Sequence, residues 1–268
     1  MRTPADVDAV LSLAGVAVPE HGLRDVTVTV HRGARHAVIA DPAAGAALVA
    51  VLAGEQPVSG GQLLLHGRPL TADRAADGVG FVRLTPRPTS AATVAGAVTA
   101  IRRRRPPVRT TPTALDGHQR AAAILRGCGL AEDLLTPVDV LPPGKRRLLD
   151  LAIAQASDAD LIVIEEPNAR LTGRDIHQLS LAVATLPTAT AVLYLAGTVT
   201  AVAGLASHIT AIQEGRSLPP TSIAGLPGRA QHPGELALTG RTERPRLTAD
   251  PVPIGGRPPS TLQRKAVP

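Results

Sequence analysis

The sequence predicts an α/β fold: a body of strands and helices over residues 1–216 and a disordered tail over residues 217–268. Three observations carry that expectation. Strand-like and helix-like segments take turns along the body, the pattern of a layered α/β domain. The chain has 268 residues, 44% of them apolar and 19% charged, which is enough apolar material for a sizeable core. Ten of its 25 prolines fall between Ser217 and Pro268, where burial cannot offset the entropy of ordering the chain.

The elements follow in order. Residues 25–30 alternate apolar and polar side chains, as a half-buried strand does. Residues 37–40 form a short apolar strand, and residues 45–54 an Ala-rich, apolar helix. Residues 61–65 read as a strand that closes in a tight turn at Gly67. Residues 120–130 and 144–156 have helical spacing, with Leu148, Leu151, Ala152 and Gln155 on neighbouring rows. Residues 161–165 form a buried strand ending in the carboxylates of Glu165 and Glu166. A helix over 175–186 stops at Pro187, and a further strand covers 191–195. No Asp, Glu, Lys or Arg occurs from Gln178 to Gln213, which raises a membrane span. Pro187, Gly197, Gly204 and six threonines divide that stretch, so alternating helices and strands are expected instead.

Composition narrows the function classes. The net charge is +6, and Lys occurs only at 145 and 265, so the basic character comes from Arg. Phe81 and Tyr194 are the only aromatic residues, leaving no stacking platform for single-stranded nucleic acid. We therefore expect no nucleic-acid partner and read the Arg content as a trait of a GC-rich coding sequence. The cluster Arg102–Arg105 with Arg109, which could meet phosphates or acidic lipid headgroups, is read as a solvated loop ahead of Pro106-Pro107. The lone Cys128 excludes a disulfide framework and is expected in the core. The eight His residues show no metal-ligand spacing. The first residues carry acid and no apolar stretch, so no secretory signal is expected and the chain is read as cytoplasmic.

Residues 37–48 lie between strand and helix, where a phosphate-binding loop belongs. Such a loop needs glycines to bring backbone N–H groups around phosphate, a Lys for its charge, and Ser or Thr for Mg²⁺. Here Ala40 stands at the first Gly position, Gly45 at the second, and Ala46-Ala47 at Lys-Ser/Thr. From Leu11 to Arg216 the chain resembles the ATP-binding cassette (ABC) ATPases, in particular the first cassette of sugar-importer ATPases. Residues 22–33 resemble the strand leading to the loop. Leu52-Ala53-Gly54, Pro57 and residues 59–68 resemble the run that follows its helix. Residues 78–82 resemble the strand entering the Q-loop, and 138–147 take the place of the signature motif. Residues 161–172 resemble Walker B with its D-loop, the Leu171-Thr172 ending favouring sugar importers, and 209–216 close the cassette. A P-loop NTPase-like cassette with a small helical subdomain around residues 90–155 is the fold this resemblance implies.

The departures fall where the resemblance places the chemistry. Remnant Walker A residues are Asp41, Ala44, Gly45, Ala46 and Ala47, in a loop one residue short. Leu84 takes the Q-loop position, Gly197 the H-switch position, and Pro142, Pro143 and Gly144 the signature positions. Glu165 replaces the metal-binding Walker B Asp, and Glu166 keeps the general-base position. His21 is the only ring near the place of the adenine-stacking aromatic. With no Lys or Ser to bring Mg-nucleotide to them, Glu165 and Glu166 are read as strand-end carboxylates in an empty cleft. The resemblance implies ATP and Mg as cofactors, weakly bound or absent here. It implies a degenerate transporter subunit, a pseudo-ATPase for import of a sugar or related solute. Its partners would be a permease at the inner face of the plasma membrane, a second cassette, or a homo- or heterodimer mate. A free-standing interaction protein on the same fold, or a weakly active ATPase, are the other readings.

Overall fold

The computed structural model describes residues 8–72, 75, 78–85, 91–101 and 114–225. Its strands are β1 (Ala9–Val18), β2 (Leu23–His31), β3 (Arg35–Ile39), β4 (Gly60–Leu65), β5 (Arg68–Pro69), β6 (Val79–Val82), β7 (Leu161–Glu165), β8 (Ala191–Ala196), β9 (His208–Gln213), β10 (Arg216–Ser217) and β11 (Thr221–Ser222). The helices are α1 (Pro42–Leu52), α2 (Val94–Thr99), α3 (Ala114–Gly127), α4 (Pro143–Ala156) and α5 (Gly173–Ala184). The sheet runs β5-β4-β1-β2-β10-β9-β3-β8-β7-β6, with β11 beside β9. Strands β9, β3, β8, β7 and β6 are parallel to one another, whereas β2, β1, β4 and β5 pair antiparallel.

Parallel strands covered on both faces must be apolar on both, and β7 shows the consequence. Leu161 and Val163 pack toward α1, while Ile162 and Ile164 pack toward the helices of the opposite face. Helix α1 is apolar along its length, and its buried residues share one core with β1, β2, β7 and β8. Its Leu48, Val51 and Leu52 are 2%, 1% and 0% exposed. It starts three residues before the expected position, since Pro42 pre-sets the backbone of the first turn and Asp41 caps it. Helices α2, α3, α4 and α5 share the second core with Tyr194, Leu125 and the buried Cys128. Burial pushes the Cys128 thiol up to about 12, which suits a packing role.

Strand β1 has no counterpart in the expected elements. Gly15, at φ 62°, sits in a bulge between Leu13 and Val16 that breaks the two-residue alternation. The sheet also continues past the expected body boundary at 216, because β10 and β11 both pair with β9. Residues 226–268 of the expected tail, and the arginines at 102–105 and 109, lie outside the described residues. Residues 178–213 divide into the end of α5, β8 and β9. Among the described residues no helix is long and apolar enough to cross a membrane.

The centre of the sheet also contains a titratable group. His36 on β3 is buried, and its Nε2 meets the Thr210 hydroxyl of β9 at 2.9 Å. Burial, then His208 and His31 nearby, lower its pKa from 6.5 to about 4. Below pH 6.5 the unfolded chain binds this proton and the folded chain does not, so stability falls with pH until about pH 4. Chemical denaturation of the parent and of His36→Gln should show this group's share of the loss, on the order of 2–3 kcal/mol between pH 7 and pH 4.5. A parent and variant that lose stability in parallel would place the acid sensitivity elsewhere.

Candidate functional site

The C-terminal ends of β3, β7 and β8 lie side by side, with Ile39 opposite Ala196 and Glu165 opposite Leu195. This edge is where open α/β sheets place their ligands. It brings Ala40, Glu166 and Gly197 together: a Cβ built on Gly197 would stand 3.6 Å from Glu166 Oε1 and 3.9 Å from the Ala40 carbonyl oxygen. The next strand, β6, delivers Leu84 to Glu165, whose Oε2 accepts the Leu84 N–H at 2.9 Å.

The loop ahead of α1 follows from its own residues. The Ala40 N–H donates to Ala196 O at 3.0 Å, tying the loop to β8. Asp41 Oδ1 accepts the Ala44 N–H at 2.9 Å, so the side chain capping the helix already uses one of its free donors. Ala46 is exposed on the first turn, Ala47 is buried and Gly45 half-buried. A methyl group at 46 offers neither charge nor hydrogen bond.

The carboxylates differ in their surroundings. Glu166 adopts φ 42°, a left-handed conformation costly for a residue with a Cβ. Burial raises its pKa, while the neighbouring Gly197 N–H pulls the other way. Behind both carboxylates lies Arg147 of α4, 3% exposed. Its Nη1 donates to Glu166 O at 2.7 Å and to Ala169 O at 3.4 Å, and its Nη2 donates to Glu165 O. Burial lowers its pKa, against the pull of Glu165, Asp150 and Glu166. Burial pushes the Asp150 carboxyl up to about 7, although Arg146, Arg147 and Arg83 favour its charged form. Arg83 pairs with Glu55 at 2.9 Å and lies over the Phe81 ring, and burial lowers its pKa against the pull of Glu165 and Asp150.

The signature positions stand apart from this convergence. Pro142 and Pro143 are exposed at the start of α4, whose cap makes no side-chain hydrogen bond. Gly144 is buried, and a Cβ there would come 2.3 Å from the Asp175 carboxyl carbon. Asp175 is held in place because it forms the capping box of α5 with Thr172. Gly144→Ala should therefore cost about 1–3 kcal/mol in denaturant melts. A loss within about 0.5 kcal/mol, the usual range for surface changes, would show that Asp175 swings aside freely. His21 is exposed in the turn Pro19–His21.

Sequence reasoning gave no role to Arg147. The signal was its place on α4 four residues before Leu151, on the row that faces the core, where a charged side chain needs buried partners. Among the described residues no group of His, Cys, Asp and Glu could hold a metal ion by itself.

Comparison with known proteins places this geometry. No family model matches the chain. It is 27% identical over 230 residues to the ribose import ATP-binding protein RbsA 2 of Streptomyces avermitilis, covering 83% of this chain and 45% of that protein. It is 26% identical over 200 residues to the arabinose import ATP-binding protein AraG of Pectobacterium atrosepticum, covering 72% and 39%. The chain thus spans less than half the length of these relatives. An ATP-binding subunit of an ABC transporter superposes with a TM-score of 0.66 over 86% of this chain and 98% of that one, at 18% identity. An ABC transporter cassette in its ADP conformation gives 0.66 over 80% and 91%, at 17% identity. The chain has the ATP-binding cassette fold and is distantly related to sugar-import ATP-binding proteins.

Proposed function

We propose that this chain is a cassette-type subunit of an importer for a sugar or related solute, in which the nucleotide site no longer works and the fold serves as scaffold or regulator. The observation that carries the reading is the pairing of an intact scaffold with a cleft whose first helical turn offers no cation and no hydroxyl. The strand–loop–helix frame and the convergence of Ala40, Glu166 and Gly197 are kept. Yet Ala46 and Ala47 supply no cation and no hydroxyl to a Mg-nucleotide. Leu84 brings only its backbone N–H, which Glu165 already accepts. The residues present do not fit Mg-ATP, so no catalytic step is assigned to Glu165 or Glu166.

Such a subunit would sit at the cytoplasmic face of the membrane, against a permease or a competent cassette. A groove of about 660 Å³ between Ala92, Thr93, Pro137, Val138, Asp139 and Arg146 supports a docking role. Leu135 and Val140 beside it in sequence are 85% and 65% exposed. Affinity purification from host membranes tests the reading, with a permease or a second cassette expected to co-purify. Recovery of the chain without either, or tight Mg-ATP binding, would overturn it.

A further inference from the structure

We infer that Arg147 and Glu165 form a clasp that locks the helical layer to the edge of the parallel sheet, giving the cassette one fixed arrangement. This deepens the scaffold reading and rests on it. Arg147 reaches from α4 into the junction and is 3% exposed. Its two terminal nitrogens are spent on the carbonyls of Glu165, Glu166 and Ala169, the segment leaving β7. Glu165 closes the junction from the other side by accepting the Leu84 N–H, just past the end of β6. Glu166 then lies against Gly197, just past the end of β8. The ends of three adjacent strands are in this way tied to α4 through a few consecutive residues.

A second tie runs through α5. The Asp175 that caps this helix stands directly over Gly144 in the first turn of α4. Loosening α4 from the sheet would expose a covered guanidinium and take a donor from three carbonyls at once, because these bonds share residues. The helical layer and the strand ends should therefore open together or not at all. In this arrangement Glu165 acts as a structural acceptor, and its carboxylate is engaged rather than poised for a cation.

Amide hydrogen exchange on the full chain tests the clasp. In the parent the Leu84 amide should be protected, and millimolar MgCl₂ should leave its rate unchanged. Glu165→Ala removes the acceptor and should speed Leu84 exchange at least tenfold, while amides of β3 keep the parent's rates. Glu165→Gln, which retains an acceptor oxygen, should keep the slow rate; if Glu165→Ala does not fold, the Gln variant and the MgCl₂ arm decide. An unprotected Leu84 amide in the parent, unchanged exchange in Glu165→Ala, or faster exchange on adding MgCl₂ would each overturn the clasp. Low-micromolar binding of Mg-ATP by the parent, by contrast, would overturn the proposed function and leave these exchange rates to be judged on their own.

Discussion

Titrated with Mg-ATP in a calorimeter, the full chain is expected to show no binding in the micromolar range and no turnover. A bound triphosphate would bring several negative charges to the first turn of α1, where the exposed side chains are Pro42, Ala43 and Ala46 and none is charged. The helix N-terminus attracts an anion there, but at an exposed end this is worth only about 0.3–1 kcal/mol. Micromolar affinity needs roughly 8 kcal/mol. The remaining sources are weak as well. Asp41 has claimed the Ala44 N–H, Glu165 has claimed the Leu84 N–H, and Glu166 places a carboxylate beside the cleft. His21 is the nearest ring to the start of the fold and lies exposed on a turn. A dissociation constant in the low micromolar range, or turnover lost in Glu166→Gln, would promote the reading of an active transporter ATPase.

The second large effect is expected from Arg147→Ala. The substitution would take the guanidinium donors from the carbonyl oxygens of Glu165, Glu166 and Ala169, with Glu166 O keeping the Ala169 N–H at 3.0 Å. Hydrogen bonds to a charged group contribute about 1.5–3 kcal/mol each, and bonds sharing one donor do not add in full. Leaving buried carbonyls short of a partner costs about 1–3 kcal/mol each, so a loss of about 3–5 kcal/mol is expected here. For a body of this size each kcal/mol lowers the melting temperature by about 2–4 °C, so a fall on the order of 10 °C should be seen. Arg147→Lys keeps the charge but not the planar fork and should fall between the two. A variant within about 1 kcal/mol of the parent would show that water replaces the guanidinium at little cost.

The sequence by itself determined the strands and helices whose pattern is local. Residues 161–165 were legible as a buried strand and 191–195 as a strand, because parallel strands covered on both faces are continuous apolar runs. Residues 45–54 were legible as a buried helix, although Pro42 and Asp41 set its true start. Strand β1 was not legible, since the bulge at Gly15 breaks the alternation a reader looks for. The identities of the side chains along the cleft were also visible, because which residues are Ala, Leu or Gly needs no coordinates. What only the tertiary structure decided is where the polar groups spend their hydrogen bonds. Glu165 on Leu84, Arg147 on three carbonyls and Asp175 over Gly144 join residues 18 to 81 positions apart, except at each helix's own cap. Such partners depend on strand order and on how helices lie across the sheet, which arise from packing the whole chain. A carboxylate at a strand end reads the same in sequence whether it faces a cation or a backbone N–H. The neighbouring strand decides, because a buried acceptor takes the donor that the fold holds within reach.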